Sequence, residues 1–223
     1  MMKNTIKIIL IAGVSLLVLF AIYTAAKKNS NNATQPDAGQ TVSQSEILRF
    51  RDSDTVRGNK DAAITIVDYS DYQCPYCIKY DKTLNKIISA YPNQVRWVYR
   101  HFPLPFHKAA KEAAIAAEAA GAQGKYWEFH DKLVENSQPD GQGLAEADLI
   151  RYASVIGLNT EQFKIDLTNQ KYISKIESDL KDGELLKIQG TPSSYLVDKN
   201  GNVETLQGAL SFDDLKIKID KAL

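Results

Sequence analysis

Hydrophobic and polar positions divide the chain into stretches of clearly different period. Ile8 to Tyr23 is apolar apart from Gly13 and Ser15, and lysines stand on both sides of it. With its edges the run reaches about twenty residues, the length that crosses a bilayer. Asn29 to Ser45 is polar and offers little to a core, so it reads as a flexible linker with a reach of roughly 20–25 Å. Glu46 to Asp61 opens the folded part, with Leu48, Phe50 and Val56 as expected core contacts. Ile64 to Val67 is a β-branched run, and the pattern predicts a buried strand over 64–70. A helix is predicted from Cys74 to Ala90, with Tyr80, Leu84, Ile87 and Ile88 along one stripe and Pro92-Asn93 ending it. Gln94 to Phe102 is a second strand, and a helical crossover of this length implies that the two strands pair in parallel.

From His107 to about Lys187 the periodicity is helical throughout. The predicted helices are the alanine-rich His107–Ala122, Tyr126–Glu135 with Trp127, Phe129 and Leu133, Ala145–Ile156, Thr160–Leu167, and Tyr172–Lys187 with Ile173, Ile176 and Leu180. An all-helical insert at about 104–180 accounts for them. Strands return at Ser194–Asp198 and Val203–Gln207, joined by Lys199-Asn200-Gly201-Asn202, whose Asn-Gly is a tight-hairpin signal. Ser211 then caps a closing helix whose core side is Phe212, Leu215, Ile219 and Leu223. The organisation is therefore 1–28 apolar segment, 29–45 linker and 46–223 α/β domain with the helical insert.

Composition alters this picture in one respect. The chain is formally neutral, yet residues 1–28 carry Lys3, Lys7, Lys27 and Lys28 and no acid, which leaves the remainder at about −4. Nothing in it resembles a nucleic-acid-binding surface. Lys3, Lys7 and the N-terminal amine outnumber Lys27 and Lys28, which favours a cytoplasmic N-terminus. The apolar run is long for a cleaved signal peptide, and Thr24-Ala25-Ala26 is a poor cleavage site, so an uncleaved single-pass anchor is the preferred reading. Under either reading the domain is exported, to where disulfides persist.

The chemistry centres on Cys74-Pro75-Tyr76-Cys77, between the first strand and its helix. Two intervening residues on one helical turn bring the sulfurs within bonding reach. The unsatisfied N–H groups and the positive end of the helix dipole favour the thiolate of Cys74. Cys74 is the candidate nucleophile, Cys77 the resolving thiol. Half a zinc site looks the same, but these are the chain's only two cysteines, and His101, His107 and His130 lack zinc-finger spacing. A purely structural disulfide closing so short a loop would constrain little of the unfolded chain.

Asp68 lies six residues before Cys74 on a strand expected to be buried. Burial would raise its pKa and let it trade a proton with Cys77, whereas at a solvated strand end it would be an ordinary acid. Gly190-Thr191-Pro192 precedes the third strand. From the residues alone a trans proline is the preferred reading; a cis bond would turn the Thr191 backbone toward an extended substrate. His101 and His107 bracket Phe102-Pro103-Leu104-Pro105-Phe106, a rigid apolar loop that either walls the site or packs under the insert.

Taken together, these motifs resemble the DsbA-like thiol:disulfide oxidoreductases, and most of all their membrane-anchored bacterial branch. The likeness runs from about Val56 to the C-terminus. It includes Val56-Arg57-Gly58-Asn59, Asp71-Tyr72-Gln73-Cys74-Pro75-Tyr76-Cys77, Arg100-His101-Phe102-Pro103-Leu104 and Gln189-Gly190-Thr191-Pro192. It implies a thioredoxin-like fold, Cys74 as the attacking cysteine, Cys77 as its partner, Asp68 in the place of the family's buried acid, and a cis Pro192. Tyr76, Thr191 and Pro192 are the expected substrate contacts. No cofactor is implied. The expected partners are exported cysteine-containing proteins and a quinone-linked membrane thiol oxidase of DsbB-like or VKOR-like kind, the domain itself being monomeric. Tyr76 stands where the family's strongest oxidants carry histidine, so a reductase or isomerase is the alternative; a copper chaperone is a more distant one.

Overall fold

The computed structural model describes residues 42–223. The apolar run Ile8–Tyr23 and nearly all of the stretch read as linker lie outside the described residues. Among the described residues, no helix is long and apolar enough to cross a membrane. Ser43 caps a short helix, α1 (Gln44–Ile47), by accepting from the Glu46 amide, so regular structure begins before the expected linker end at Ser45.

Five strands, β1 (Thr55–Gly58), β2 (Ile64–Ser70), β3 (Val95–His101), β4 (Ser193–Val197) and β5 (Val203–Gln207), form one sheet in the order β1-β3-β2-β4-β5. β2 and β3 run parallel, joined through α2 (Pro75–Ala90); the other pairings are antiparallel. The hairpin turns at Gly201, whose φ of 81° suits glycine. β1 went unread in the sequence because its four residues include an arginine and a glycine and lack apolar alternation. It is an edge strand covered by helix, with the Trp127 indole N–H donating to the Val56 carbonyl at 2.6 Å.

Period-2 alternation on a strand buried on both faces puts even and odd residues of β2 to different uses. Ile64 and Ile66 join Trp97, Tyr99, Leu196 and Leu206 in the core under α2 and the closing helix α8 (Phe212–Ala222). Val67 and Tyr69 face the opposite way, with Val98, Tyr195, Leu48 and Phe102. Asp68 and Ser70 are even, so they lie on the α2 side. Register sets Tyr99, Asp68 and Ser194 side by side across three strands, with Ser70 beside His101 in the next row.

Between β3 and β4 stand α3 (Ala110–Gly121), α4 (Tyr126–Asn136), α5 (Glu146–Val155), α6 (Thr160–Thr168) and α7 (Ile173–Leu185), the expected insert, with α7 running on past its expected end near 180. The alanines of α3 are buried, and small side chains there let the neighbouring helices approach closely. Gly183 does the same for α7: a Cβ there would sit 2.4 Å from the Phe102 ring. Leu223, expected in the core side of α8, is exposed, because it follows the last helical turn. Leu215 and Ile219 carry that contact instead.

A buried ion pair fastens the N-terminal segment to the sheet. Arg100, wholly buried, donates to Asp54 Oδ2 at 2.9 Å, to the Ile47 and Arg49 carbonyls and to the Tyr69 hydroxyl. Removing the acid strands a buried guanidinium. We predict that Asp54→Ala lowers stability by about 3 kcal/mol or more, read as a shifted urea midpoint; a change inside the error of the measurement would contradict this.

Candidate active site

Cys74 is the N-cap of α2, in extended conformation (φ −79°, ψ 119°), and Pro75 opens the helix without needing an N–H partner. The preceding turn is fixed through Asp71. Its Oδ1 accepts from the Gln73 amide at 2.7 Å, and its backbone carbonyl accepts from the Cys74 amide at 3.1 Å. Its Oδ2 accepts from the Leu104 amide at 2.8 Å and lies 2.7 Å from His107 Nδ1. The Phe102–Phe106 loop is thereby tied to the cysteine turn. Gln73 adds a tie to the insert, donating to the Pro139 carbonyl and accepting from the Ala109 amide.

Both cysteines are free thiols, 4% and 5% exposed for Cys74 and Cys77. The Cys74 pKa is lowered to about 5. Its largest cause is hydrogen bonding from the Cys77 side chain; burial opposes it, and the Cys77 amide, Thr191 side chain and Tyr76 amide add to it. The helix N-terminus therefore contributes, but the partner thiol contributes more than the sequence reading assigned. Cys77 is pushed well above an ordinary thiol by burial, by giving its proton toward Cys74, and by the charges of Cys74 and Asp68. One thiol is poised to be a thiolate; the other keeps its proton.

The Thr191–Pro192 bond is cis, as the resemblance implies and against the preference drawn from the residues alone. The Thr191 carbonyl accepts from Cys74 Sγ at 3.3 Å. The Thr191 hydroxyl is buried without a hydrogen-bond partner, and the Thr191 side chain favours the Cys74 thiolate. Tyr76 is 66% exposed, and Phe106 is exposed on the loop fastened to Asp71.

Asp68 is 2% exposed and accepts from the Ser194 hydroxyl at 2.7 Å. Burial raises its pKa to about 7, against the opposing hydrogen bonds of Ser194 and Ser70; the charges of Asp81 and Cys74 raise it further. Ser70 also bonds toward Cys77, so one hydroxyl neighbours both the acid and the deeper thiol. Neither Ser194 nor Ser70 was singled out in the sequence; the period of β2 was the available signal for Ser70, while Ser194 needed the register with β4. His101 and His107 do not reach the cysteines. His101 pairs with Glu118 at 2.9 Å, and His107 holds Asp71.

Because the folded-state pKa of Asp68 lies above the 3.8 of a free carboxyl, the folded state binds its proton more tightly than the unfolded one. Stability from this group is full below about 4, is lost as pH rises through about 7, and is level above that. At about 1.4 kcal/mol per unit the loss is on the order of 4 kcal/mol. Asp68→Asn should therefore gain stability relative to the unaltered reduced protein between acid and mildly alkaline pH. Urea unfolding across that range measures it, and a constant difference would contradict the assignment.

Comparisons with known proteins agree with the fold described above. The family model described as Thioredoxin matches residues 51–221. A thioredoxin-like oxidoreductase from Silicibacter pomeroyi is 31% identical, with a TM-score of 0.66 over 77% of this chain and 93% of that one. BdbD from Bacillus subtilis, in its oxidised form, is 26% identical, with a TM-score of 0.67 over 76% and 92%. Wolbachia pipientis alpha-DsbA1, at 21% identity and a TM-score of 0.70 over 81% of this chain and 96% of that one, shares the fold. A curated relative, Na(+)/H(+) antiporter NhaA 3 of Salinispora tropica, is 35% identical over 71% of this chain, which spans only 24% of that protein. The transport named there belongs to the longer protein. The chain spans about a quarter of the length of the curated relatives it matches first; it belongs to the thioredoxin family and shares the fold of the DsbA-like proteins.

Proposed function

We propose that the protein is an extracytoplasmic thiol oxidase that introduces disulfides into exported proteins, with Cys74 as the attacked and attacking cysteine. The observation that carries this reading is the Cys74 thiolate, held at about 5. Stabilising the thiolate stabilises the reduced pair, which makes the Cys74–Cys77 disulfide the better oxidant.

A substrate thiolate attacks Cys74 Sγ of the disulfide, forming a mixed disulfide and releasing Cys77 as thiolate. Cys77 takes a proton, for which Asp68 is the nearby donor. A second substrate thiolate then attacks the substrate sulfur, closing the substrate disulfide and releasing the Cys74 thiolate. Two electrons have passed to the cysteine pair. A quinone-linked membrane thiol oxidase, DsbB-like or VKOR-like, removes them by the reverse route, with Asp68 accepting the proton of Cys77. Tyr76, Thr191 and Pro192 are the proposed substrate contacts, since Tyr76 is exposed and the Thr191 carbonyl faces Cys74. The run Ile8–Tyr23 is the proposed anchor. A reductase of the same active site is the second reading, favoured by tyrosine rather than histidine between the cysteines.

The test has two parts. Cys74→Ser should abolish exchange, and Cys77→Ser should trap mixed disulfides through Cys74; trapping by the converse variant would reverse the roles. Equilibration of the pair with glutathione should give a potential above about −180 mV. A potential near that of thioredoxin, roughly −270 mV, would favour the reductase.

A further inference from the structure

Beyond Tyr76, the outer face of α2 takes no part in the exchange, yet it carries a charge pattern of its own. Lys79, Lys82 and Lys86 are exposed, and among the described residues none of them forms an ion pair or a side-chain hydrogen bond. Residues 1–28 take four of the 27 basic side chains and none of the 27 acidic ones, so the remainder is net acidic. Three unpaired lysines on one helix run against that balance. A helix places positions three, four and seven residues apart on one side. Counted from Tyr76, these positions are Lys79, Tyr80 and Thr83.

Lys79, Tyr80, Thr83 and Lys86 line one wall of a groove of about 280 Å³, and the β5–α8 connection with Leu210 and Phe212 lines the other. No acidic side chain lines it. The acids nearest its far wall in the chain are placed otherwise. Asp213 lines a second cavity that shares Lys86 and Phe212, and Asp214 Oδ2 accepts from the Ser211 hydroxyl at 2.6 Å. Lys82 lies outside the lining. Two ammonium groups beside apolar carbons in a concave site call for carboxylates next to an apolar side chain. A polypeptide segment meets that description and can enter a groove; a bilayer surface is too broad to follow it. Tyr76, exposed at the head of the stripe, leads a chain held at Cys74 toward the groove. Along the helix axis Lys79 and Lys86 lie about 4.5 and 15 Å beyond Tyr76, a reach of about two to five residues of extended chain.

We propose that Lys79 and Lys86 are specificity-determining residues that select polypeptides with Asp or Glu within about five residues of the reacting cysteine. The ammonium groups hold these carboxylates while Leu210 and Phe212 cover an apolar neighbour. The inference rests on exchange of polypeptide thiols through Cys74 and holds for either direction of electron flow.

The test uses the disulfide form of the full chain and two-cysteine peptides that differ only in carrying Glu or Gln within about five residues of the first cysteine. One peptide thiolate attacks Cys74 Sγ and releases Cys77. The other closes the peptide disulfide, and two electrons pass to the cysteine pair. Acid quenching and alkylation of free thiols give the second-order rate constants at low ionic strength. The quantity read is the ratio of the Glu-peptide constant to the Gln-peptide constant; comparing it between protein variants cancels the peptides' own reactivity. Lys79→Gln combined with Lys86→Gln should lower the ratio about threefold or more, and Lys82→Gln should leave it in place. Added salt should lower it in the unaltered protein. An unmoved ratio in the double variant overturns the inference. An equal fall in Lys82→Gln also overturns it, by assigning the effect to the general field of α2. A double variant that loses binding to phosphatidylglycerol vesicles yet keeps the ratio gives the lysines to the membrane and overturns it too. Absence of exchange with either peptide in the unaltered protein overturns the exchange reading itself.

Discussion

The thiolate of Cys74 and the thiol of Cys77 share one proton at the first turn of α2, and the rest of the structure depends on that asymmetry. A Cys-x-x-Cys at a helix start supplies amide donors in any case. Here the Cys77 side chain is the larger source of stabilisation, with the amides of Cys77 and Tyr76 behind it. Burial pushes the two thiols alike toward the neutral form. Only the outer one has enough donors to overcome this, and the inner one has two negative neighbours that reinforce it.

Keeping the donors in place requires a rigid approach to the helix and a dry floor beneath it. The approach is Asp71, which shapes the turn with one oxygen and holds the loop at Leu104 and His107 with the other. The floor is the even-numbered face of β2. A strand covered on both sides can afford one carboxyl only with partners, and Ser194 and Ser70 supply them for Asp68. The helical insert contributes more than a lid: through Gln73 it fixes the cysteine turn, and through His130 it reaches the acid one turn beyond Cys77.

Much of this was legible in the sequence because it rests on local period and spacing. The run at 64–70, the cysteines at a helix start, the Asn-Gly hairpin and the alanine-rich insert each carry their own signal, and the expected elements formed there. Burial of Asp68 followed from its place on a strand of continuous apolar character. What was not legible depends on partners distant in the chain. β1 is held by pairing with β3, not by its own four residues. Ser194 reaches Asp68 only through an antiparallel register set more than a hundred residues away. The two histidines that bracket the apolar loop pair with the partly buried Glu118 and clamp that loop to Asp71, while His130, noted only for its spacing, pairs with Asp81 on α2. The cis bond at Pro192 was a matter of resemblance, since either isomer suits a proline ahead of a strand.

The central claim is that the partner thiol is the principal stabiliser of the reactive thiolate. Its most direct test is an ultraviolet titration of the Cys74 thiolate in the reduced protein and in Cys77→Ala. The unaltered protein should titrate near about 5. Cys77→Ala should rise by roughly a unit or more yet stay below the ordinary thiol value of 9.0, because the helix amides and the Thr191 hydroxyl remain. A midpoint unchanged by the substitution would contradict the account and leave the helix terminus as the main source of the stabilisation.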